Sequence, residues 1–332
     1  MEKTRNASFE LLRIVCMFMI VLYHIFVKVH SGVWDSPMYS TLLFPLHIAV
    51  VCFILISGYF GIKFSFRRLI VLFVQILFYN ILCYVVCSLI AKSFNIKDLL
   101  ISFLPLSHNQ DLWFIRTYIM LFLVSPIINK YTEFTPPLNS FKIMCVIMAF
   151  ISVYLGIKGD DVSLNGGKNL VNFIFIYFLG HAIKMKYFVP NLSLKTWIMV
   201  YMAFNVLECS TYYLSFGHGL ACKISVYGWT YNSPLLIINA ILFFMIFSKL
   251  KIESSFIPSL ARSVFPIYLI HSNLNVQNIS WPIVKDASNI NQLASYLAAT
   301  FIIMLLCMLI DKILAPIYHR IGDGIIKIIN FK

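Results

Sequence analysis

The feature that most constrains this chain is a series of apolar segments, each long enough to cross a lipid bilayer. The hydrocarbon of a bilayer is ~30 Å thick, and a helix rising ~1.5 Å per residue needs about 20 apolar residues to span it. Such segments fall at roughly 9–29, 41–62, 69–91, 112–129, 140–157, 170–186, 196–215, 233–250, 262–279 and 292–315. In lipid every backbone polar group must be satisfied internally, and helices do this within one segment. The pattern therefore predicts an all-α, polytopic membrane helical bundle of about ten transmembrane helices. Composition agrees, since only 12% of the residues are charged and 60% are hydrophobic. A soluble domain of this size has no interior large enough for so much apolar surface. No internal repeat or low-complexity segment interrupts the series, so residues 1–332 read as a single domain. The first apolar run contains Arg13, and no small-residue cleavage site follows it, which predicts a retained helix and not a signal peptide.

The net charge of +13 is carried by short clusters between the apolar runs. That placement predicts contact with anionic membrane lipids and a role in topology, and no nucleic-acid partner. With the N-terminus inside, the inner loops hold 17 Lys and Arg and the outer loops seven, so both termini are expected in the cytoplasm. The eight cysteines show no CxxC and no metal-finger spacing. Neither a disulfide framework nor a metal site is expected.

Ionisable groups inside apolar runs are costly, and each is a candidate for function. The first run reads FELLRIVCMFMIVLYHIF and contains Arg13 and His24. At about 100° per residue, eleven steps come to ~1100°, so both side chains share a face, ~16 Å apart along the axis. Two readings stand side by side. Arg13 snorkels to the inner interface while His24 bonds a neighbouring helix, or both serve chemistry. His47, His181 and His271 also lie in apolar runs. Any one alone is more often structural. Several in the outer halves of different helices favour a shared polar cavity, where imidazole can accept a hydroxyl proton near neutral pH.

The stretch HNQDLWFIRTYIM opens the fourth run. Trp113 suits an interfacial anchor, and Arg116 lies one turn deeper, seeking an anion or the nearby Asp111. Ser57-Gly58-Tyr59 closes the second run, where glycine permits close helix approach. Gln75 and Asn80, with Asn205 and Glu208, are expected to line one interior. A glycine-rich phosphate loop and paired metal-binding carboxylates are absent.

The opening RNASFELLRIVCMFMIVLYH, with Arg and His separated by ten residues, is joined by FILISGYFG, DLWFIRTYIMLFLVSP and a late YLIH. On these segments the chain resembles the acyltransferase 3 family of integral membrane O-acyltransferases, over essentially its whole length. That family modifies cell-envelope and secreted polysaccharides, lipopolysaccharide O-antigen and related glycans. The resemblance implies a bacterial plasma-membrane protein with an acyl-CoA co-substrate, commonly acetyl-CoA, and a glycan or lipid-linked glycan acceptor. It implies no resident cofactor. Arg13 and His24 match the family's catalytic pair. His271 matches its late histidine, with Ser272 where proline often follows. Arg116, Trp113, His271, Tyr59 and Ser57 become expected substrate contacts. Many members carry Arg-x-x-Arg at the start of the third span. This chain has Arg67-Arg68, the expected donor contacts, and Val71 where the second arginine would stand. Nothing in the residues fixes an oligomeric state.

The leading expectation is therefore acyl transfer to an envelope glycan. The alternative is a transporter or flippase for a glycolipid, which shares the polar interior but commonly shows two related halves or broken helices in matching positions. A polysaccharide polymerase is third, and usually needs a larger basic outer loop.

Overall fold

A computed structural model describes residues 6–30, 36–104, 112–133, 138–155, 165–218, 228–287 and 292–329, and among them every regular element is helical. The α-helices are α1 (Ala7–Val29), α2 (Pro37–Phe60), α3 (Phe66–Ile90), α4 (Ile96–Ser102), α5 (Trp113–Glu133) and α6 (Leu138–Ala149). They continue as α7 (Leu170–Lys184), α8 (Leu194–Ser215), α9 (Pro234–Lys249), α10 (Phe256–Ala261), α11 (Val264–His271), α12 (Leu274–Ala287) and α13 (Gln292–Ile329). A π-helical turn, Phe150–Tyr154, extends α6. The chain is a polytopic membrane helical protein. By themselves α1, α2, α3 and α13 are long and apolar enough to cross a bilayer, and three further apolar helices are shorter. Their outward faces keep side chains that water would not accept: Leu89 and Ile313 are both 73% exposed. Lipid is the solvent that suits such a surface.

Most expected spans appear within a few residues. The ninth does not. The expected helix over 262–279 breaks after His271, and α12 starts afresh at Leu274. The cause is the polar run beginning at Ser272. Asn273 Oδ1 accepts the backbone N–H of Asn275 at 3.0 Å, which caps a new helix. The tenth run is longer than expected. At 38 residues α13 is about 57 Å long, beyond the hydrocarbon thickness, and its second half carries Asp311, Arg320 and Asp323.

The chain forms two compact units, each assembled from separate stretches. The first comprises Met1–Tyr23, Gly32–Lys63 and Thr117–Pro258. Its tightest crossing joins α2 to α7. A Cβ on Gly58 would collide with the backbone carbonyl of Tyr177, and one on Gly180 would collide with that of Leu55. Two glycines thus let two backbones touch, as expected of Ser57-Gly58-Tyr59. Tyr177 Oη sits beside this crossing. It donates to Asn129 Oδ1 at 2.5 Å and accepts from the Ile62 amide at 2.9 Å.

The second unit comprises His24–Ser31, Phe64–Arg116 and Ser259–Lys332. Its α3, α11 and α13 are tied by one buried carboxylate, Asp311. Tyr79 Oη donates to it at 2.7 Å, Ser263 Oγ at 2.6 Å and Tyr318 Oη at 3.1 Å. Three donors offset the cost of burying this carboxylate, and Ser263 fixes the start of α11.

Candidate active site

Helix α1 places Arg13 in the first unit and His24 in the second. Arg13 is paired within its own helix. Its Nη1 donates to both oxygens of Glu10, at 3.0 and 3.2 Å. Glu10 is almost wholly buried, and about a third of the Arg13 side chain is exposed. The three-residue spacing puts the two charged residues on one helix face and brings the pair together. The spacing in Glu-Leu-Leu-Arg was legible in the sequence, but Glu10 was not among the expected residues.

His24 meets His271. His24 Nδ1 lies 3.0 Å from His271 Nε2, and the ring centroids are 5.2 Å apart. His271 is 1% exposed, at the end of α11. Its Nδ1 is 2.6 Å from the Ile267 carbonyl oxygen, one turn back, and the Ser272 hydroxyl is 3.3 Å from its Nε2. The break after His271 therefore leaves this imidazole bonded on both nitrogens. Edge-on rings continue from it: Tyr268 lies 5.9 Å away, and Phe114 of α5 lies 6.0 Å from Tyr268. Trp113 opens α5 beside Phe114, with centroids 6.1 Å apart. Beside the histidines, Asn273 donates to Asn80 Oδ1 at 2.9 Å, and Asn80 donates to the Ser102 carbonyl at 2.5 Å.

The model of the acyltransferase domain family matches residues 6–312 of the chain. The chain belongs to the acyltransferase 3 family. No curated protein and no solved structure matches it. As a member of that family it is a membrane acyltransferase, and the matched span contains Arg13, His24 and His271.

The other expected site residues of this acyltransferase fall in both units. Ser57 bonds the Phe53 carbonyl at 2.9 Å and Tyr118 Oη at 3.3 Å. Tyr59 packs among Phe9, Phe60 and Phe244. Both lie in the first unit, in contacts that hold helices together. Arg116 is half-buried and has no carboxylate partner among the described residues, and Asp111 lies outside them. Arg67 and Arg68 are exposed in the first turn of α3, with Arg67 Nη2 2.9 Å from Asp323 Oδ1 of α13. The family's second arginine position holds Val71, whose Cγ2 would be 3.3 Å from a Cβ on Gly322. The space an arginine would need there is close to the α13 backbone.

The shared histidine cavity forms only in part. His271 joins His24, whereas His47 is ringed by Tyr23, Trp229 and Tyr231. His181 faces Phe141. The expected common interior of Gln75, Asn80, Asn205 and Glu208 also divides. Asn205 and Asn239 exchange amide hydrogen bonds at 3.0 Å, and Asn239 donates to Glu208 at 3.2 Å, all within the first unit. Asn80 belongs to the second. Hydrophobic periodicity shows which face of a helix turns inward, but not which neighbour receives it.

Proposed function

We propose that this acyltransferase moves an acyl group, preferably acetyl, from acyl-CoA to a hydroxyl of a cell-envelope or exopolysaccharide glycan, free or lipid-linked. The observation that carries this reading is the hydrogen bond between His24 and His271, with His24 on the helix that also bears Arg13. His24 acts as general base. It takes the proton of the acceptor hydroxyl as the oxygen–acyl bond forms and the carbon–sulfur bond breaks. The departing CoA thiolate then takes that proton back, leaving an ester, free CoA and neutral His24. Base catalysis of this kind typically contributes ~10²–10⁴-fold. Arg13, ~16 Å along the helix, cannot touch the same atom and suits an extended donor. Arg67 and Arg68, at the N-terminal turn of α3, offer guanidiniums to the donor's phosphates. Family membership favours this reading over transport.

Two experiments test it. Glycan from a bacterium lacking the protein should lose a base-labile ester that its parent carries, and purified protein given acetyl-CoA and that ester-free glycan should release CoA. Retention of every ester in the deletion strain would overturn the acceptor class. The 17-to-7 distribution of Lys and Arg between inner and outer loops supports an orientation with both termini in the cytoplasm. Cysteine labelling should find the Arg67–Arg68 turn and the C-terminus in the cytoplasm and the loop around Lys168 outside. Termini on opposite faces would refute it.

A further inference from the structure

The hydrogen bonds around the two imidazoles determine which nitrogen carries a proton. A carbonyl oxygen only accepts, so His271 Nδ1, 2.6 Å from the Ile267 carbonyl, bears the hydrogen. A neutral imidazole has one N–H, which leaves a lone pair on His271 Nε2. That lone pair faces His24 Nδ1 at 3.0 Å, so His24 Nδ1 bears a hydrogen and donates it. The lone pair of neutral His24 is then on Nε2.

We infer that His271 is a positioning residue that holds His24 in its Nδ1–H tautomer, making Nε2 the nitrogen that accepts the acceptor's proton. This rests on the reading of His24 as general base. It replaces the expectation that His271 contacts substrate. The chain of bonds runs from the Ile267 carbonyl through His271 to His24. It does for His24 what an acceptor behind a catalytic histidine does elsewhere: it selects the tautomer and fixes the ring plane. When His24 takes a second proton, its Nδ1–H donates as part of a cation, and the bond to His271 Nε2 strengthens in that state. Support that grows with developing charge lowers the barrier without tightening ground-state binding. The break after α11 is part of the device. Ser272 and Asn273 end the helix at His271, and the Asn273–Asn80 bond at 2.9 Å ties that end to α3.

The test uses the full-length protein in lipid nanodiscs, with two readouts. Nitrogen-15 NMR of histidine-labelled protein, with the His24 signals identified by their loss in His24→Asn, should show a protonated Nδ1 and an unprotonated Nε2 at neutral pH. An Nε2–H tautomer for His24 would overturn the inference. In a CoA-release assay with acetyl-CoA and ester-free glycan as acceptor, His271→Ala should lower kcat by roughly 10–100-fold with KM within about twofold of wild type. His271→Gln, whose amide oxygen reaches to about the place of the ring Nε2, should recover most of the loss. A raised KM at unchanged kcat, or Gln no better than Ala at equal abundance, would refute positioning. Should wild-type protein release no CoA, the proposed function fails, and the tautomer measurement alone decides this inference.

Discussion

Arg13 Nη1 lies 3.0 Å from Glu10 Oε1, one turn back along the same helix, and Glu10 is the more deeply buried of the two. The guanidinium therefore offsets part of the cost of burying the carboxylate. Removing it takes a compensating charge from a buried carboxylate, which costs more than the pair itself contributes. Arg13→Met is expected to lower stability by on the order of 1–3 kcal/mol, reduced from the fully buried case by partial solvent contact. Glu10→Gln with Arg13→Met should recover much of that loss. Thermal unfolding in detergent measures both, and equal destabilisation by the single and double variants would show that Glu10 does not depend on Arg13.

His24→Gln separates chemistry from packing. Glutamine keeps a hydrogen-bonding side chain of similar reach but accepts no proton near neutral pH. As general base, His24 should be replaceable only at a loss of about 10²–10⁴-fold in turnover, with normal protein abundance in the membrane. Glycan ester or CoA release near the parental level in this variant would reject the role.

Arg67 and Asp323 are both more than half exposed. An ion pair in that setting is worth about 1 kcal/mol or less, so a phosphate group can displace the carboxylate. Replacing Arg67 and Arg68 together by Gln should raise KM for acyl-CoA by about tenfold, as expected for losing around 1.4 kcal/mol of binding. Expression and topology should hold. An unchanged KM would leave these arginines as topology determinants only.

Gly58→Ala sets a methyl group against the Tyr177 backbone, which cannot rotate away as a side chain can. Overpacking of this kind typically costs about 1–3 kcal/mol, and a rigid backbone neighbour places Gly58 at the upper end. Less folded protein in the membrane is expected. Gly324→Ala is the contrast, because nothing lies within 4 Å of a Cβ there and α13 is helical. It should be neutral or stabilising by up to about 1 kcal/mol. Equal losses at both positions would show that space at the α2–α7 crossing is not what requires Gly58.

The sequence by itself determined the helical class, the approximate place of most helices and the close crossing at Gly58. These follow from properties local to a segment: apolar length against bilayer thickness, and the room that a missing Cβ leaves. The Glu10–Arg13 pair was equally local, a three-residue spacing within one helix. Tertiary structure alone decided the rest. His24 and His271 are 247 residues apart, and no periodicity joins them. Asp311 gains its three hydroxyl donors from α3, from the residue before α11 and from its own helix. The break at Ser272–Asn273 turned an expected single span into two helices and left His271 at a helix end. A helix's apolar pattern fixes how much of it turns inward. Which polar groups then meet depends on how separate helices pack, and that is settled only when every buried donor and acceptor must find a partner at once.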